Sequence, residues 1–516
     1  MTHPLPLTTA PLTPTDVHAV AHGAPVALTD QARAAIEASR AALETAADDN
    51  EPHYGVNTGF GSFSRQRITQ SKLRDLQRNL VRSHASGLGD PLPDDVVRAT
   101  MLLLAASLSR GHSGVRVVVV ERLIDMLNAG VTPSVPEVGS VGASGDLAPL
   151  AHIALVLIGE GEARVNGKTI PGAEAMRAAG LEPVELEAKE GLALINGTHL
   201  MAARFALLWM RFERLFPAAC LAAAMSLDAC RGTDASLDPR VYVARNQPGP
   251  AAIAARLREL LIGSEIVPSH ANADDPRVQD PYSIRCAPIV LGAALDMATH
   301  CRRSLEAELG AVTDNPLVFG GDGTGRPAQI ISAGNFHGMP VAIPLDVMAI
   351  CLSHVAGISE RRTYHMISAF DPDAGLRPYL SPEPGLHSGY MIPQYAAAAC
   401  CNELVGLAAP ASVSNIPTSA GMEDYNSFGP RSAAKADRAL SLATSVIAIE
   451  LLCAAQAIEA HRPLRSGHRI ETAHATIRAV VPALQADRPP APDIKAIERL
   501  ITDGAFDEQM VNIDDH

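Results

Sequence analysis

Residues 139–146 read GSVGASGD and offer the most specific chemistry in this 516-residue chain. Glycines at 139, 142 and 145 open backbone conformations that side chains close. Ala143, Ser144 and Gly145 then stand in a row. This triplet permits an uncommon condensation, in which the Gly145 nitrogen attacks the Ala143 carbonyl and two waters leave, one of them carrying the Ser144 hydroxyl. The product is a 4-methylidene-imidazol-5-one (MIO) ring with an electrophilic exocyclic carbon. Glycine leaves the attacking nitrogen unhindered, alanine keeps the carbonyl accessible, and serine supplies the β-hydroxyl whose loss creates the methylidene. The stretch DLAPLAHIALVLIG that follows reads as a helix with Asp146 in its first turn, so positive potential at a helix N-terminus falls beside the triplet. The plainer reading of a glycine-rich loop before a helix is an anion cradle. That reading needs a G-K-[S/T] ending, or a buried strand before the loop and an acidic ribose-binding residue after it, and the sequence has neither.

The elements that must position this loop read as mainly α. Apolar residues make up 47% of the chain and aromatics 4%, with Ala, Leu and Val dominating, a balance that suits packed helices. Helix starts are expected at Thr15 and Asp16 and at Thr29 and Asp30, and helical patterns over 70–85, 93–109, 115–129, 251–262, 289–309, 340–362, 392–408 and 431–461. The segment 51–63 is a loop, and hairpins are expected around 163–170 and 317–331. The pattern 431–461 is apolar around most of its circumference, which predicts burial in a bundle core or between subunits. The length exceeds what one core usually organises. The expected division is 1–205 with the reactive loop, 206–480 as a central helical bundle, and 481–516 as a C-terminal helix and acidic tail.

The formal charge of −14 argues against a surface that tracks nucleic-acid phosphates, so a small molecule is the expected partner. The eight cysteines show no C-x-x-C spacing and read as reduced core residues of a cytoplasmic protein; the N-terminus lacks the basic start and apolar run of a signal peptide, and no membrane segment is expected. Eighteen histidines without H-E-x-x-H or clustered Cys/His spacing predict no metal site.

Beyond the reactive loop, ordered motifs recur along residues 10–480: YGVNTGFG at 54–61, LQRNLVRSHASGLG at 76–89, KEGLALINGTHLM at 189–201, VQDPYSIRCAP at 278–288, TDNPLVF at 313–319, GNFHG at 334–338 and SERRT at 359–363. In this set and order the chain resembles the family of histidine, phenylalanine and tyrosine ammonia-lyases and aminomutases. The resemblance implies a long helical bundle, an autocatalytic MIO ring from Ala143, Ser144 and Gly145 with no external cofactor, and a homotetramer whose neighbouring chains share active sites.

The resemblance also implies roles. Tyr54 is the base for the substrate β-proton, Tyr282 a second tyrosine near the ring, and Arg285 a bidentate clamp for the substrate carboxylate. Asn196 stands beside the ring, and Gln279, Phe336 and Gln394 line the pocket. His84 and Glu423 face the substrate side chain, which points to histidine: an imidazole has two nitrogens needing partners and a phenyl ring has none. The expected reaction is elimination of ammonia from L-histidine to give trans-urocanate, with tyrosine, phenylalanine or the aminomutase variant as the nearest rival. Several residues depart from the family pattern. Gly421 and Met422 stand where an Asn-Gln pair is typical, Tyr425 where a histidine is, Gly310 for a frequent asparagine and Ala287 for a glutamine, and GNFHGMP lacks the usual Ala-Glu after His337.

Overall fold

A computed structural model of the chain describes residues 3–47, 52–59, 67–271, 275–320 and 327–507, and it is mainly helical. The chain forms two compact units. One comprises residues 1–210, 302–345 and 410–434, the other 211–301, 346–409 and 435–516. The expected division into three consecutive regions is therefore corrected. Segments 302–345 and 410–434 return to the first unit, and the helix Pro490–Thr502 belongs to the second rather than standing apart. The reason is physical: four of the five boundaries fall inside the long helices His199–Ala229, Ala287–Leu309, Met339–Ser368 and Gly429–Ile458, where no linker marks them, and the fifth lies between Ala409 and Pro410.

In the first unit, local chemistry starts the helices where donors need partners. Pro14–Ala21 opens with a capping box, the Asp16 N–H donating to Thr13 Oγ1 at 3.2 Å and the Thr13 N–H to Asp16 Oδ2 at 2.9 Å, so the start falls just before the expected Thr15. Asp30–Ala46 is capped by Thr29 as expected. Helix Asp94–Ser109 is buried along most of its length and packs against Pro14–Ala21 and Val117–Asn128. Both expected hairpins form: Glu162–Val165 pairs antiparallel with Lys168–Pro171, and Leu317–Phe319 with Gln329–Ile331. The GGDGTG tip of the latter and the end of the 51–63 loop lie largely outside the described residues.

A small core fixes the loop that carries Tyr54. Val56 is buried with Ala42 and Leu43 of helix Asp30–Ala46 and Val318 of the hairpin. The loop is further closed by the His53 N–H donating to Asn57 Oδ1 at 2.7 Å and the Ile68 N–H to the Asn57 carbonyl at 2.9 Å.

In the second unit, Arg362 and Glu450 form a fully buried fork at 2.5 and 2.8 Å, and Ser226 Oγ donates to the same carboxylate at 2.6 Å. The all-round apolar helix is already covered by the chain itself. Ala439, Leu440, Val446, Ile447, Leu451 and Leu452 are fully buried, so of the two expected settings it takes the bundle core, and its apolar faces supply no argument for a subunit contact. Two helices, Met339–Ser368 and Gly429–His461, are long and apolar enough to cross a membrane by length and composition, and most of each apolar stretch is buried inside the protein.

Candidate active site

The reactive loop is held by backbone pairing with a second loop. The Asp146 N–H donates to the Gly197 carbonyl at 2.7 Å, and the Gly197 N–H to the Ser144 carbonyl at 3.2 Å. Ser140 Oγ closes the turn from inside, donating to the Gly145 carbonyl at 3.0 Å and accepting from the Gly142 N–H at 3.1 Å. Gly145 has φ +77°, and a Cβ there would run into the Gly197 carbonyl. Only glycine satisfies both conditions.

Asp146 does not cap the helix Leu147–Leu157 that it precedes. Its Oδ2 accepts instead from the Leu200 and Met201 N–H groups, 2.9 and 3.2 Å, at the start of helix His199–Ala229. Burial pushes its carboxyl up to about 7, against the lowering pull of those two N–H groups. Sequence reading placed Asp146 only in a first turn; that its side chain serves a different helix has no local signal.

Asn196 follows the short helix Glu190–Ile195, whose first N–H groups, Gly191 and Leu192, donate to Gln77 Oε1 at 2.9 and 3.3 Å. Arg116 grips the buried Glu190 carboxylate at 2.8 and 2.7 Å. Asn196 Nδ2 donates to the Asn315 carbonyl at 2.8 Å, while its buried Oδ1 has no hydrogen-bond partner among the described residues. Asn315 is fixed in turn by the Ala333 N–H on its Oδ1, 2.7 Å, and by its Nδ2 on Ser332 Oγ, 3.2 Å. Beneath it, Lys189 and Asp314 form a buried ion pair at 2.6 Å, of the kind whose disruption by removal of one partner costs about 3–5 kcal/mol.

Around these groups lies a cavity of about 990 Å³ lined by Tyr54, His84, Ser144, Asn196, Phe336 and Glu423, all from the first unit. Leu76, Leu80, Leu147, Leu192, Ile195 and Met422 supply the apolar part of the wall, and Asn79, Ser83, Asn315, Ser332 and Ser419 add further polar groups to it. His84 Nδ1 donates to the Leu80 carbonyl at 2.8 Å. A carbonyl only accepts, so the neutral ring carries its proton on Nδ1 and keeps Nε2 as an acceptor. Glu423 Oε2 accepts from Thr418 Oγ1 at 2.8 Å.

Six of the sequence-derived site residues thus come together, with Ala143 and Gly145 adjoining Ser144. Gln279, Tyr282, Arg285 and Gln394 do not line this cavity and belong to the second unit. Tyr282 is 71% exposed, and the Arg285 guanidinium lies 4.6 Å from its ring centroid while Arg285 Nε donates to the Asp280 carbonyl at 2.9 Å. Gln279 is exposed, and Gln394 Nε2 donates to Glu360 Oε1 at 2.6 Å. Sequence reasoning missed Asn315 and Thr418 as site-forming residues. Asn315 lay inside a quoted motif, and an Asn-Pro pair before a strand was the available signal.

The family model for aromatic amino acid lyases matches residues 12–479. The chain belongs to the aromatic amino acid lyase family. Among its relatives in that family, a histidine ammonia-lyase of Anaeromyxobacter dehalogenans is 49% identical over 505 residues, covering 96% of this chain and 98% of that protein. The structure of histidine ammonia-lyase from Trypanosoma cruzi superposes with a TM-score of 0.89 at 37% identity, covering 98% of this chain and 95% of that one. A tyrosine aminomutase from Streptomyces globisporus gives 0.90 at 34% identity, covering 98% of each. As an aromatic amino acid lyase the chain is an ammonia-lyase whose substrate is a small molecule, an amino acid, and the mainly helical fold is that of its family.

Proposed function

We propose that this enzyme is a histidine ammonia-lyase, which eliminates ammonia from L-histidine to give trans-urocanate with an MIO ring formed from Ala143, Ser144 and Gly145. The residues present fit that ring. Gly145 sits in the left-handed region with no room for a side chain, and Asn196, which lines the cavity with Ser144, has a buried Oδ1 without a hydrogen-bond partner among the described residues. Once formed from Ala143, Ser144 and Gly145, the ring would supply an electrophilic carbon toward the substrate's amino group.

The chain's own residues then divide the remaining work. Tyr54, on its anchored loop, takes the β-proton. His84 and Glu423 hold the imidazole from two directions: Nε2 of His84 accepts from a ring N–H, and the Glu423 carboxylate meets the other ring nitrogen when that nitrogen carries a proton. The apolar part of the wall excludes water and strengthens these bonds. Arg285 is the carboxylate clamp, with Tyr282, Gln279 and Gln394 beside it, and Phe336 packs against the substrate. In this reading the active enzyme is a cytoplasmic homotetramer in which neighbouring chains complete each site. It needs no metal and no external cofactor, and has neither a nucleic acid nor a membrane as partner.

The observation that carries the reading is the convergence of His84 and Glu423 on one cavity with Ser144 and Tyr54. Relatives named histidine ammonia-lyase along nearly the whole chain support it. Incubating the purified enzyme separately with L-histidine, L-tyrosine and L-phenylalanine, and following the conjugated acid by absorbance, tests it. Histidine is expected to have the highest kcat/KM by at least about tenfold, because a phenyl ring leaves buried polar groups unpaired at roughly 1–3 kcal/mol each. Equal or greater efficiency on tyrosine or phenylalanine, or β-amino acid products, rejects it.

A further inference from the structure

Glu423 sits in a loop of unusual backbone geometry. Ser419, Ala420 and Gly421 have φ of 50°, 52° and 84°, three successive residues in the left-handed region that serine and alanine rarely visit. This turn folds the chain back so that Thr418 and Glu423 face each other across a short antiparallel bridge. The Thr418 N–H donates to the Glu423 carbonyl at 2.9 Å and the Glu423 N–H to the Thr418 carbonyl at 3.3 Å. Ser419, Met422 and Glu423 all reach the cavity wall as a result.

The loop is anchored behind the turn as well. Asn426 ties its two arms, its N–H donating to Asn415 Oδ1 at 3.2 Å and its Nδ2 to the Ile416 carbonyl at 2.6 Å. The next two residues join the loop to the reactive triplet's own turn: Ser427 Oγ donates to the Gly142 carbonyl at 3.3 Å and the Phe428 N–H to the Val141 carbonyl at 2.9 Å. The Glu423 backbone therefore has a fixed place relative to Ser144. Its side chain has three further torsions, and the backbone bonds control none of them.

We infer that Thr418 is a positioning residue for Glu423, whose hydroxyl fixes the carboxylate so that one oxygen is aimed at the substrate's imidazole. The inference rests on the reading of Glu423 as the carboxylate that meets that ring. Thr418 Oγ1 donates to Oε2 at 2.8 Å, and among the described residues Oε1 has no hydrogen-bond partner. A threonine hydroxyl has one proton to give, and here it goes to a charged acceptor, the stronger class of hydrogen bond. A carboxylate so held loses less freedom when a ring N–H arrives, which favours binding and orientation. The competing reading is that Thr418 only closes the turn. That role would show in stability and would not depend on what stands at position 423.

The test uses the full enzyme and four variants: Thr418→Val, Thr418→Ser, Glu423→Gln and the Thr418→Val/Glu423→Gln double variant. We read kcat and KM for L-histidine, the melting temperature and the intact mass. Thr418→Val is expected to lower kcat/KM about 10- to 100-fold, the worth of a hydrogen bond to a charged group, with the wild-type mass change retained. Thr418→Ser is expected to stay within about threefold of wild type, since it keeps the hydroxyl. In the Glu423→Gln background the valine substitution is expected to cost under about twofold, because the charged carboxylate that the hydroxyl positions is gone. If valine disrupts folding, Thr418→Ala removes the hydroxyl without adding bulk and repeats the cycle. Wild-type kcat/KM in the hydroxyl-free variant, or the same loss in both backgrounds, overturns the inference while leaving histidine turnover by the wild type intact. Wild-type inactivity on L-histidine, or an unimpaired Glu423→Gln, instead removes the reading beneath it.

Discussion

The loop around Gly145 and the motif around Arg285 both carry residues that the family resemblance assigns to one reaction, yet they are built in opposite ways. Around Gly145 the neighbouring segments are pinned: two backbone bonds to the 197 loop, the buried Asp146 carboxyl on the start of helix His199–Ala229, a buried ion pair under Asn315. Around Arg285, Tyr282 is 71% exposed and Val278 98%, and the arginine's recorded partners are a backbone carbonyl and its own motif's tyrosine. Polar groups hold a fixed geometry when burial makes each unmade bond costly, and they keep their freedom at a surface. The first region is thus organised by its own unit. The second, in the proposed reading, acquires its partners on assembly.

The largest test of this contrast is Ser144→Ala. It is expected to lower turnover at least about 10³-fold while leaving the fold intact, since it removes the only source of the proposed electrophile. The wild-type chain should weigh two waters less than its sequence by intact-mass spectrometry, and an unmodified mass would rule out the ring. Next in size, mixing Tyr54→Phe chains with Arg285→Ala chains should restore activity above either parent, each alone expected to lose about 10²-fold or more. Unfolding the two variants together and refolding them before assay checks it, and a mixture no better than its parents would place both residues in a site made by one chain. A smaller effect separates the two ring-facing groups. His84→Leu should narrow the gap between histidine and phenylalanine by about tenfold in kcat/KM, by making that wall apolar, measured as the ratio of the two efficiencies.

The smallest test concerns the buried titratable groups behind the reactive loop. Burial holds the His199 imidazole down to about 3, with Arg110 adding to the effect. Its unfolded form takes up a proton below about 6.5 and its folded form does not, so stability is lost as pH falls from about 6.5 towards 3. Asp146 acts with the opposite sign, its raised carboxyl making stability fall as pH rises from the usual carboxylate range to about 7. That contribution is common to wild type and His199→Asn. The wild type should therefore lose more urea resistance than the variant between pH 7 and pH 5, and an equal loss in both would show that His199 is not held neutral.

Much of this could be read from the residues in order. Helical periodicity located most of the long helices to within a few residues, because their apolar positions recur with the helical turn along one chain; it ended at 362 where Met339–Ser368 runs on, and it gave no bounds for His199–Ala229. The Asn-Gly turn at 166–167 announced its hairpin, since only such residues tolerate both positive φ values, here 50° and 77°. What could not be read is where separate stretches meet. Nothing near Asp146 announces that its carboxyl serves residues 200 and 201, and nothing near Thr418 announces three left-handed residues in succession, since only Gly421 among them favours that conformation. Gly421 appeared as a departure from the family pattern, and its φ of 84° gives that glycine a physical reason. Met422, another departure, brings an apolar side chain to the cavity wall beside Glu423.

The pairing of Gly145 with Gly197 also sets a schedule. The two residues can meet only after the chain has been synthesised beyond residue 197. On the proposed chemistry, a nascent or truncated polypeptide carries an ordinary Ala-Ser-Gly stretch and harms nothing. The reactive carbon arises only where a folded site already surrounds it, so completed architecture serves as the licence for a group that would otherwise be hazardous to the cell's own amines and thiols.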